Sequence, residues 1–158
     1  MTEDQKKFML EAIHLSSEGM NLDVGGPFGC VIVRHDEIIG RGNNHVTSTN
    51  DPTAHAEVTA IRNACKQLNT FQLEDCELYT SCEPCPMCLG AIYWSKIKKI
   101  YYACTRTDAA SIGFSDDFIY NEIPKALHER TIPIEQVMWE EAMQVFKEWM
   151  LKSDRITY

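Results

Sequence analysis

Apolar and polar positions change their spacing several times along the chain, and each spacing predicts a different kind of element. Near the start, apolar side chains recur at helical spacing and predict an amphipathic helix over residues 3–18. Thr2 and Gln5 are spaced for a capping box at the beginning of this helix, and Gly19 is expected to end it.

Short runs rich in β-branched and aromatic residues predict the strands. Residues 28–34 and 38–43 are separated by a polar turn and should pair as a hairpin. Further strands are expected over residues 77–80, 98–103 and 132–138, which makes five strands in all.

Helices are predicted between these strands over residues 54–68 and 84–94, and a strongly amphipathic helix follows over residues 139–151. Residues 107–121 lack a clear period and are expected to be irregular, with short helical turns. A hairpin followed by alternating helices and strands is typical of an α/β layered domain around a mixed sheet. Because no linker or repeat interrupts this order, we expect one domain over residues 1–158.

The composition, 44% hydrophobic and 24% charged, is typical of a globular domain and excludes disordered and coiled-coil chains. The net charge of −8 would repel phosphate backbones, so nucleic acid is not an expected partner. The longest uncharged run, Pro84 to Ser95, is shorter than the roughly 20 residues that a membrane helix requires, so no membrane association is expected.

The seven cysteines indicate the compartment. An odd number of cysteines, in a chain that starts without a signal-peptide pattern, argues against a disulfide framework. We therefore expect a cytoplasmic protein with reduced cysteines, of which the clustered ones serve metal binding or catalysis.

The candidate chemistry lies in two short motifs, each at the predicted start of a helix. Cys85 and Cys88 are three residues apart and share a helix face, and His55 precedes Glu57 by two residues. Two thiolates and a neutral imidazole balance the charge of Zn²⁺, and three protein ligands leave the fourth tetrahedral position to water. Glu57 could then move a proton from that water to a substrate nitrogen.

Cys82 leaves two other interpretations open. It lies three residues before Cys85, so it could close the site as a fourth ligand of a structural zinc, or belong to an iron–sulfur fragment. A closed site would leave Glu57 without a role, and Cys82 is predicted at a strand end away from the helix tip. The open, catalytic site is therefore the favoured interpretation.

The pairing of H-x-E with P-C-x-x-C is the signature of the zinc nucleobase deaminases. The flanking sequence extends the likeness through the stretches GGPFGCVIV, NDPTAHAEVTAIR, LYTSCEPCPMCLGAIYW, TDAASIGFSDDFIY and ERTIP. From residue 25 to the last residue, the chain resembles the short bacterial guanine deaminases, which belong to the cytidine deaminase-like superfamily.

This resemblance implies a three-layer α/β/α cytidine deaminase-like fold with a five-stranded mixed sheet. It implies Zn²⁺ bound by His55, Cys85 and Cys88, and hydrolysis of a free purine base, guanine, to xanthine and ammonia by attack at C2. Glu57 would be the proton shuttle. The resemblance also implies a homodimer, in which the segment of residues 139–158 either exchanges between subunits or folds back on its own subunit.

The same resemblance implies which residues surround the base. They are Asn44 and Asp116 at its polar edges, Phe28 and Trp94 against its faces, and Tyr158 at the closing end of the pocket. The backbone N–H of Ala56 could also bind the developing oxyanion or the base edge.

Other substrates stay open at this stage. Guanosine, cytosine or an aminated triazine would use the same zinc chemistry. A tRNA adenosine deaminase would need a basic channel for phosphates, which a chain with a net charge of −8 does not favour. A non-catalytic zinc module is the least favoured, because it would give Glu57 no function.

Overall fold

A computed structural model describes all 158 residues and divides them into two compact units, residues 1–116 and 117–158. The first unit consists of α1 (Glu3–Asn21), β1 (Gly29–Arg34), β2 (Glu37–Asn43), α2 (Val46–Thr49), α3 (Ala56–Leu68), β3 (Glu77–Cys82), α4 (Pro86–Trp94), β4 (Lys99–Cys104) and α5 (Arg106–Ser111). The second unit consists of α6 (Asp117–Glu122), a 3₁₀ turn (Leu127–Glu129) and α7 (Trp139–Leu151).

The sheet of the first unit has four strands in the order β2-β1-β3-β4. Strand β1 pairs antiparallel with β2 and with β3, whereas β3 pairs parallel with β4, so the predicted hairpin and mixed sheet are confirmed. The prediction of a fifth strand is wrong, because residues 132–138 form no strand. Pro133 lacks the N–H that a ladder needs, and Met138 adopts a left-handed conformation with φ 53°.

Side chains of the central strands alternate between two apolar layers, as a sheet covered on both faces requires. On one face, Val31 and Val33 pack with Phe8 of α1 and Tyr79 of β3. On the other face, buried side chains of the sheet pack with those of α3 and α4; they include Cys30, Ile32, Ala56, Ala60, Leu78 and Ile92. The first unit is therefore an α/β/α arrangement, with α3 and α4 on the same side of the sheet.

Helix α1 confirms its predicted beginning but not its predicted end. Thr2 and Gln5 form the reciprocal hydrogen bonds of a capping box, with distances of 2.9 and 3.1 Å. The helix continues past Gly19 to Asn21. Gly19 is buried against Asn43, where a Cβ atom would lie 2.5 Å from the amide nitrogen, so this glycine provides close packing and does not end the helix.

The second unit has no buried residue. Helix α7 confirms the predicted amphipathic helix, and its apolar side chains are exposed to different extents. They include Trp139 at 58%, Val145 at 62%, Phe146 at 64% and Trp149 at 41%. None of the helices in the chain has the length and apolar composition that a membrane crossing needs.

Strand β2 lies directly against the first turn of α3, because Gly42 has no side chain. A Cβ atom at this position would lie 2.3 Å from the carbonyl oxygen of Ala56 and 2.6 Å from the nitrogen of Ala60. The contact fixes the distance between α3 and the sheet. It therefore also fixes the position of the residues at the start of that helix.

Replacing Gly42 with Ala should therefore lower the free energy of unfolding by about 3 kcal/mol, because the backbone of α3 would have to move. Gly90→Ala is the matched control, since a Cβ there meets nothing within 4 Å. In the interior of a helix this change should stabilise the protein by up to about 1 kcal/mol. Urea denaturation of both variants at equal zinc content measures the difference, and equal midpoints would contradict the close contact.

Candidate active site and metal centre

The site forms where the beginnings of α3 and α4 meet. His55 is the N-cap residue of α3 and Cys85 is the N-cap residue of α4, and both have extended backbone conformations. Pro86 occupies the first position of α4, where its missing N–H costs no hydrogen bond. The two predicted motifs are thus placed at helix starts, and Cys88 and Glu57 follow in the first turns of the two helices.

Three ligand atoms converge at this point. The Nδ1 atom of His55 lies 3.6 Å from Sγ of Cys85 and 3.5 Å from Sγ of Cys88, and the three side chains place one ligand atom each within 4.8 Å of one another. Tetrahedral zinc with usual bond lengths would hold a nitrogen and a sulfur about 3.5 Å apart. The donor set and its spacing therefore fit Zn²⁺.

The charges of these three groups also fit a divalent cation. Hydrogen bonding with Cys88 and with His55 lowers the pKa of Cys85 to about 4, so the surroundings favour its thiolate. Hydrogen bonding with Cys85 raises the pKa of His55, and it also raises that of Cys88. Two thiolates with a neutral imidazole would balance the charge of Zn²⁺.

Glu57 lies beside the ligands and is only 6% exposed. Its Oε2 atom accepts a hydrogen bond from Sγ of Cys88 at 3.3 Å, and its Oε1 atom accepts one from the hydroxyl of Thr80 at 3.4 Å. Burial raises the pKa of the Glu57 carboxyl. A carboxyl group with a raised pKa takes up and releases protons closer to neutral pH, as a proton shuttle requires.

Cys82 does not join the cluster. It is the last residue of β3, as the sequence predicts, and its sulfur donates a hydrogen bond to the carbonyl oxygen of Thr105 at 3.6 Å. The cluster of possible ligands contains only His55, Cys85 and Cys88. The interpretation of a closed site with Cys82 as its fourth ligand is therefore wrong.

Asn44 is buried, and backbone groups fix its orientation. Its side-chain oxygen accepts hydrogen bonds from the N–H of Gly26 at 3.3 Å and of Val46 at 3.1 Å. The backbone N–H of Asn44 donates to the carbonyl oxygen of Phe28 at 3.1 Å. Because its oxygen is already engaged, Asn44 can offer a ligand its NH₂ group, as a donor to an acceptor atom.

Phe114 is a residue of this region that sequence reasoning missed. Its ring packs edge-to-face on Phe28, with centroids 5.0 Å apart and an interplanar angle of 89°. A Cβ atom on Gly26 would lie 3.1 Å from both rings. The contact brings the segment that carries Asp116 to the side of Phe28, and the position of Phe114 two residues before Asp116 is the signal that could have found it.

The other predicted residues are placed as follows. Ala56 is fully buried as the first residue of α3, so its N–H lies at the helix start. Trp94 ends α4, about 13 Å of helix rise from Cys85, and is 67% exposed, so this chain does not bring it to its own metal ligands. Tyr158 belongs to the second unit. Substrate contacts of Asn44, Asp116, Phe28, Trp94, Tyr158 and Ala56 stay predictions.

A layered α/β fold with a three-ligand metal centre and an adjacent buried carboxyl defines a zinc-dependent deaminase. Residues 2–104 match the cytidine and deoxycytidylate deaminase zinc-binding region, and the chain belongs to this family, whose metal is Zn²⁺.

Three comparisons with known proteins show where the chain stands within the family. It is 58% identical over 146 residues to the guanine deaminase of Bacillus subtilis (strain 168), and these residues make up 92% of this chain and 94% of the relative. The X-ray structure of guanine deaminase from Bacillus subtilis matches with a TM-score of 0.95 at 54% identity, over 100% of this chain and 99% of the other. A tRNA-specific adenosine deaminase of Aquifex aeolicus is 36% identical over 126 residues, 80% of this chain and 81% of the relative. The resemblance to guanine deaminases is thus confirmed.

Removing one ligand should remove the metal. Cys88→Ser is expected to weaken zinc binding more than about 100-fold, because a serine hydroxyl does not replace a thiolate ligand. Cys82→Ser is the matched control and should keep one zinc ion per chain, since its sulfur lies outside the cluster. Atomic emission after dialysis against a chelator measures the zinc content, and zinc loss in Cys82→Ser alone would overturn the assignment.

Proposed function

We propose that this protein hydrolyses guanine to xanthine and ammonia. The buried Glu57 carboxyl beside a three-ligand zinc site is the observation that carries the proposal, because this combination is suited to moving protons from water to a substrate nitrogen. The guanine deaminase of Bacillus subtilis, at 58% identity, supports guanine as the particular substrate.

The reaction consumes one water and releases one ammonia, so protons must move between oxygen and nitrogen. Zinc, when bound, supplies an activated water. His55, Cys85 and Cys88 would hold this metal. As the C2–O bond of the product forms, the Glu57 carboxylate takes up one proton of the attacking water and passes it to a ring nitrogen of the base. Glu57 then moves the second proton, from the new hydroxyl to the amino group, and the C2–N bond breaks to release ammonia. Asn44 donates from its NH₂ group to an acceptor atom of the base, Asp116 accepts from an N–H, and Phe28 stacks on one face of the ring. The N–H of Ala56 faces the developing negative charge.

A second candidate is deamination of adenosine in tRNA. The relative from Aquifex aeolicus favours it, since its identity extends over 80% of this chain. The net charge of −8 argues against this second function, because the phosphates of a tRNA substrate bind to positively charged side chains. Inosine formation in tRNA that falls steeply with salt would support this second function, whereas ammonia from free guanine supports the first. Guanosine and cytosine, assayed beside guanine, decide whether the pocket takes the free purine base.

Glu57→Gln should lower kcat for ammonia release from guanine by about 10³-fold, because the amide cannot carry the proton. Zinc content should stay at one ion per chain, since Glu57 is not among the ligands. The matched control is Glu74→Gln, which removes an exposed carboxylate paired with Lys96 and should leave kcat unchanged. Near-normal turnover by Glu57→Gln would refute the shuttle role, and no ammonia from guanine with the zinc-loaded native protein would refute the proposed function.

The protein is further proposed to act as a homodimer in the cytoplasm. Helix α7 exposes a row of large apolar side chains, and α4 exposes Tyr93 at 76%. Strand β4 is an edge of the sheet, with Tyr102 half exposed. Exposed apolar area of this extent supports coverage by a second copy. A reducing compartment is proposed because Cys85 and Cys88 must stay reduced, and not form a disulfide, to bind the metal as thiolates.

The proposed exchange of residues 139–158 between subunits can be tested with mixed dimers that carry two different tags. Each of the variants Glu57→Gln and Tyr158→Ala is expected to be nearly inactive alone. If Tyr158 of one subunit closes the pocket of the other, a mixed dimer of the two variants contains one complete site and should show about half of the native activity.

The control reverses the arrangement. A mixed dimer of the native chain with the double variant Glu57→Gln, Tyr158→Ala should be inactive if the segment is exchanged. It should keep about half of the activity if each segment folds back on its own subunit. Activity in this control, with none in the first mixed dimer, would therefore refute the exchange, and a monomer by light scattering would refute the dimer.

A further inference from the structure

We propose that Thr80 is a positioning residue for Glu57, whose carboxyl it holds with one oxygen directed to the metal ligands. This inference rests on the proposed function, in which Glu57 moves protons. The Thr80 hydroxyl lies 3.4 Å from Oε1 of Glu57, while Oε2 lies 3.3 Å from Sγ of Cys88. The Glu57 carboxyl thus bridges Thr80 of strand β3 and Cys88, a metal ligand on α4.

Strand β3 gives Thr80 a fixed position. The strand is central in the sheet, and Thr80 is paired through its backbone with Cys30 of β1 and with Tyr102 of β4. The next residue, Ser81, points to the opposite face and accepts a hydrogen bond from the N–H of Gly29. Two neighbouring hydroxyls therefore serve different faces of the sheet, and only that of Thr80 faces α3.

Thr80 is 1% exposed, so its hydroxyl cannot turn to solvent. A buried hydroxyl without a partner costs free energy, and no buried side-chain nitrogen or oxygen of this chain lacks one. The partner of Thr80 is the Glu57 carboxyl. A hydroxyl can both donate and accept, so this bond can persist whether Glu57 is a carboxylate or carries a proton.

The two side-chain contacts of the Glu57 carboxyl come from different elements. Cys88 on α4 is itself one of the possible metal ligands, whereas Thr80 on β3 is not. The Thr80 hydroxyl is therefore the contact that holds Glu57 from outside the metal site.

Thr80→Val tests the inference, because valine has the shape of threonine without the hydroxyl. We expect kcat for guanine to fall about tenfold, the size of one hydrogen bond to a charged group. KM, the dissociation constant of the product xanthine and the zinc content should stay within about twofold, since Thr80 is neither among the possible metal ligands nor among the residues proposed to contact the base. Thr80→Ser keeps the hydroxyl and should restore kcat to near the native value.

A second pair of variants separates positioning from packing. Thr80→Ala and Thr80→Ser both lose the γ-methyl group and differ only in the hydroxyl, so a lower kcat in Ala alone would assign the effect to the hydroxyl, even if Thr80→Val folds poorly. A crystal structure of the zinc-loaded Ala variant should show the Glu57 carboxyl turned away from residue 80.

Each outcome decides one question. Equal kcat in Thr80→Val and the native enzyme, or equal losses in the Ala and Ser variants, would overturn the positioning role while the proposed function stands. Parallel losses of zinc and of kcat would assign Thr80 a structural role and also overturn it. Failure of the native zinc-loaded protein to release ammonia from guanine would instead overturn the proposed function.

Discussion

The centre of this molecule is the convergence of two helix beginnings on one metal site. Each helix start carries about half a positive charge, and α3 and α4 direct both toward the same small volume. Two cysteine sulfurs lie there, and the lowered pKa of Cys85 shows that the surroundings favour a thiolate. Hydrogen bonds with Cys88 and His55 are the main causes of this shift, and the positive ends of the two helices favour negative ligand atoms at the same place.

The buried carboxyl of Glu57 makes a similar connection between stability and chemistry. A carboxylate that is 6% exposed is destabilising unless donors surround it, and burial accordingly raises its pKa. The donors come from β3, through Thr80, and from α4, which also carries two of the metal ligands. The close contact of Gly42 with α3 sets the distance between helix and sheet at which these donors can reach Glu57. Packing, metal binding and proton transfer therefore depend on the same few positions.

Two of the metal ligands were predictable from local spacing, because Cys85 and Cys88 share one helix turn. His55 lies 30 residues before Cys85, and its H-x-E motif at another predicted helix start indicated it. Gly19 and residues 132–138 show where local reasoning fails. Gly19 continues its helix because tertiary contact with Asn43 requires the absence of a side chain. Residues 132–138 alternate like a strand, but Pro133 and Met138 oppose a regular ladder. Phe114 and Thr80 were missed because their roles depend on partners more than twenty residues away, Phe28 and Glu57.

The metal ligands and Glu57 lie in the part of the chain that matches the family, whereas only some of the residues proposed to contact the base do. His55, Glu57, Cys85 and Cys88 all fall within residues 2–104, the region that matches the family, and a tRNA deaminase shares enough of the sequence to be recognisably related. Asp116, Phe114 and Tyr158 lie beyond this region. The Phe28–Phe114 contact connects the two parts, because it seats the segment after α5 beside the loop that holds Asn44. The proposed contacts of Asp116 and Tyr158 thus place part of the substrate selection after residue 104, and those of Phe28 and Asn44 place the rest within the matched region.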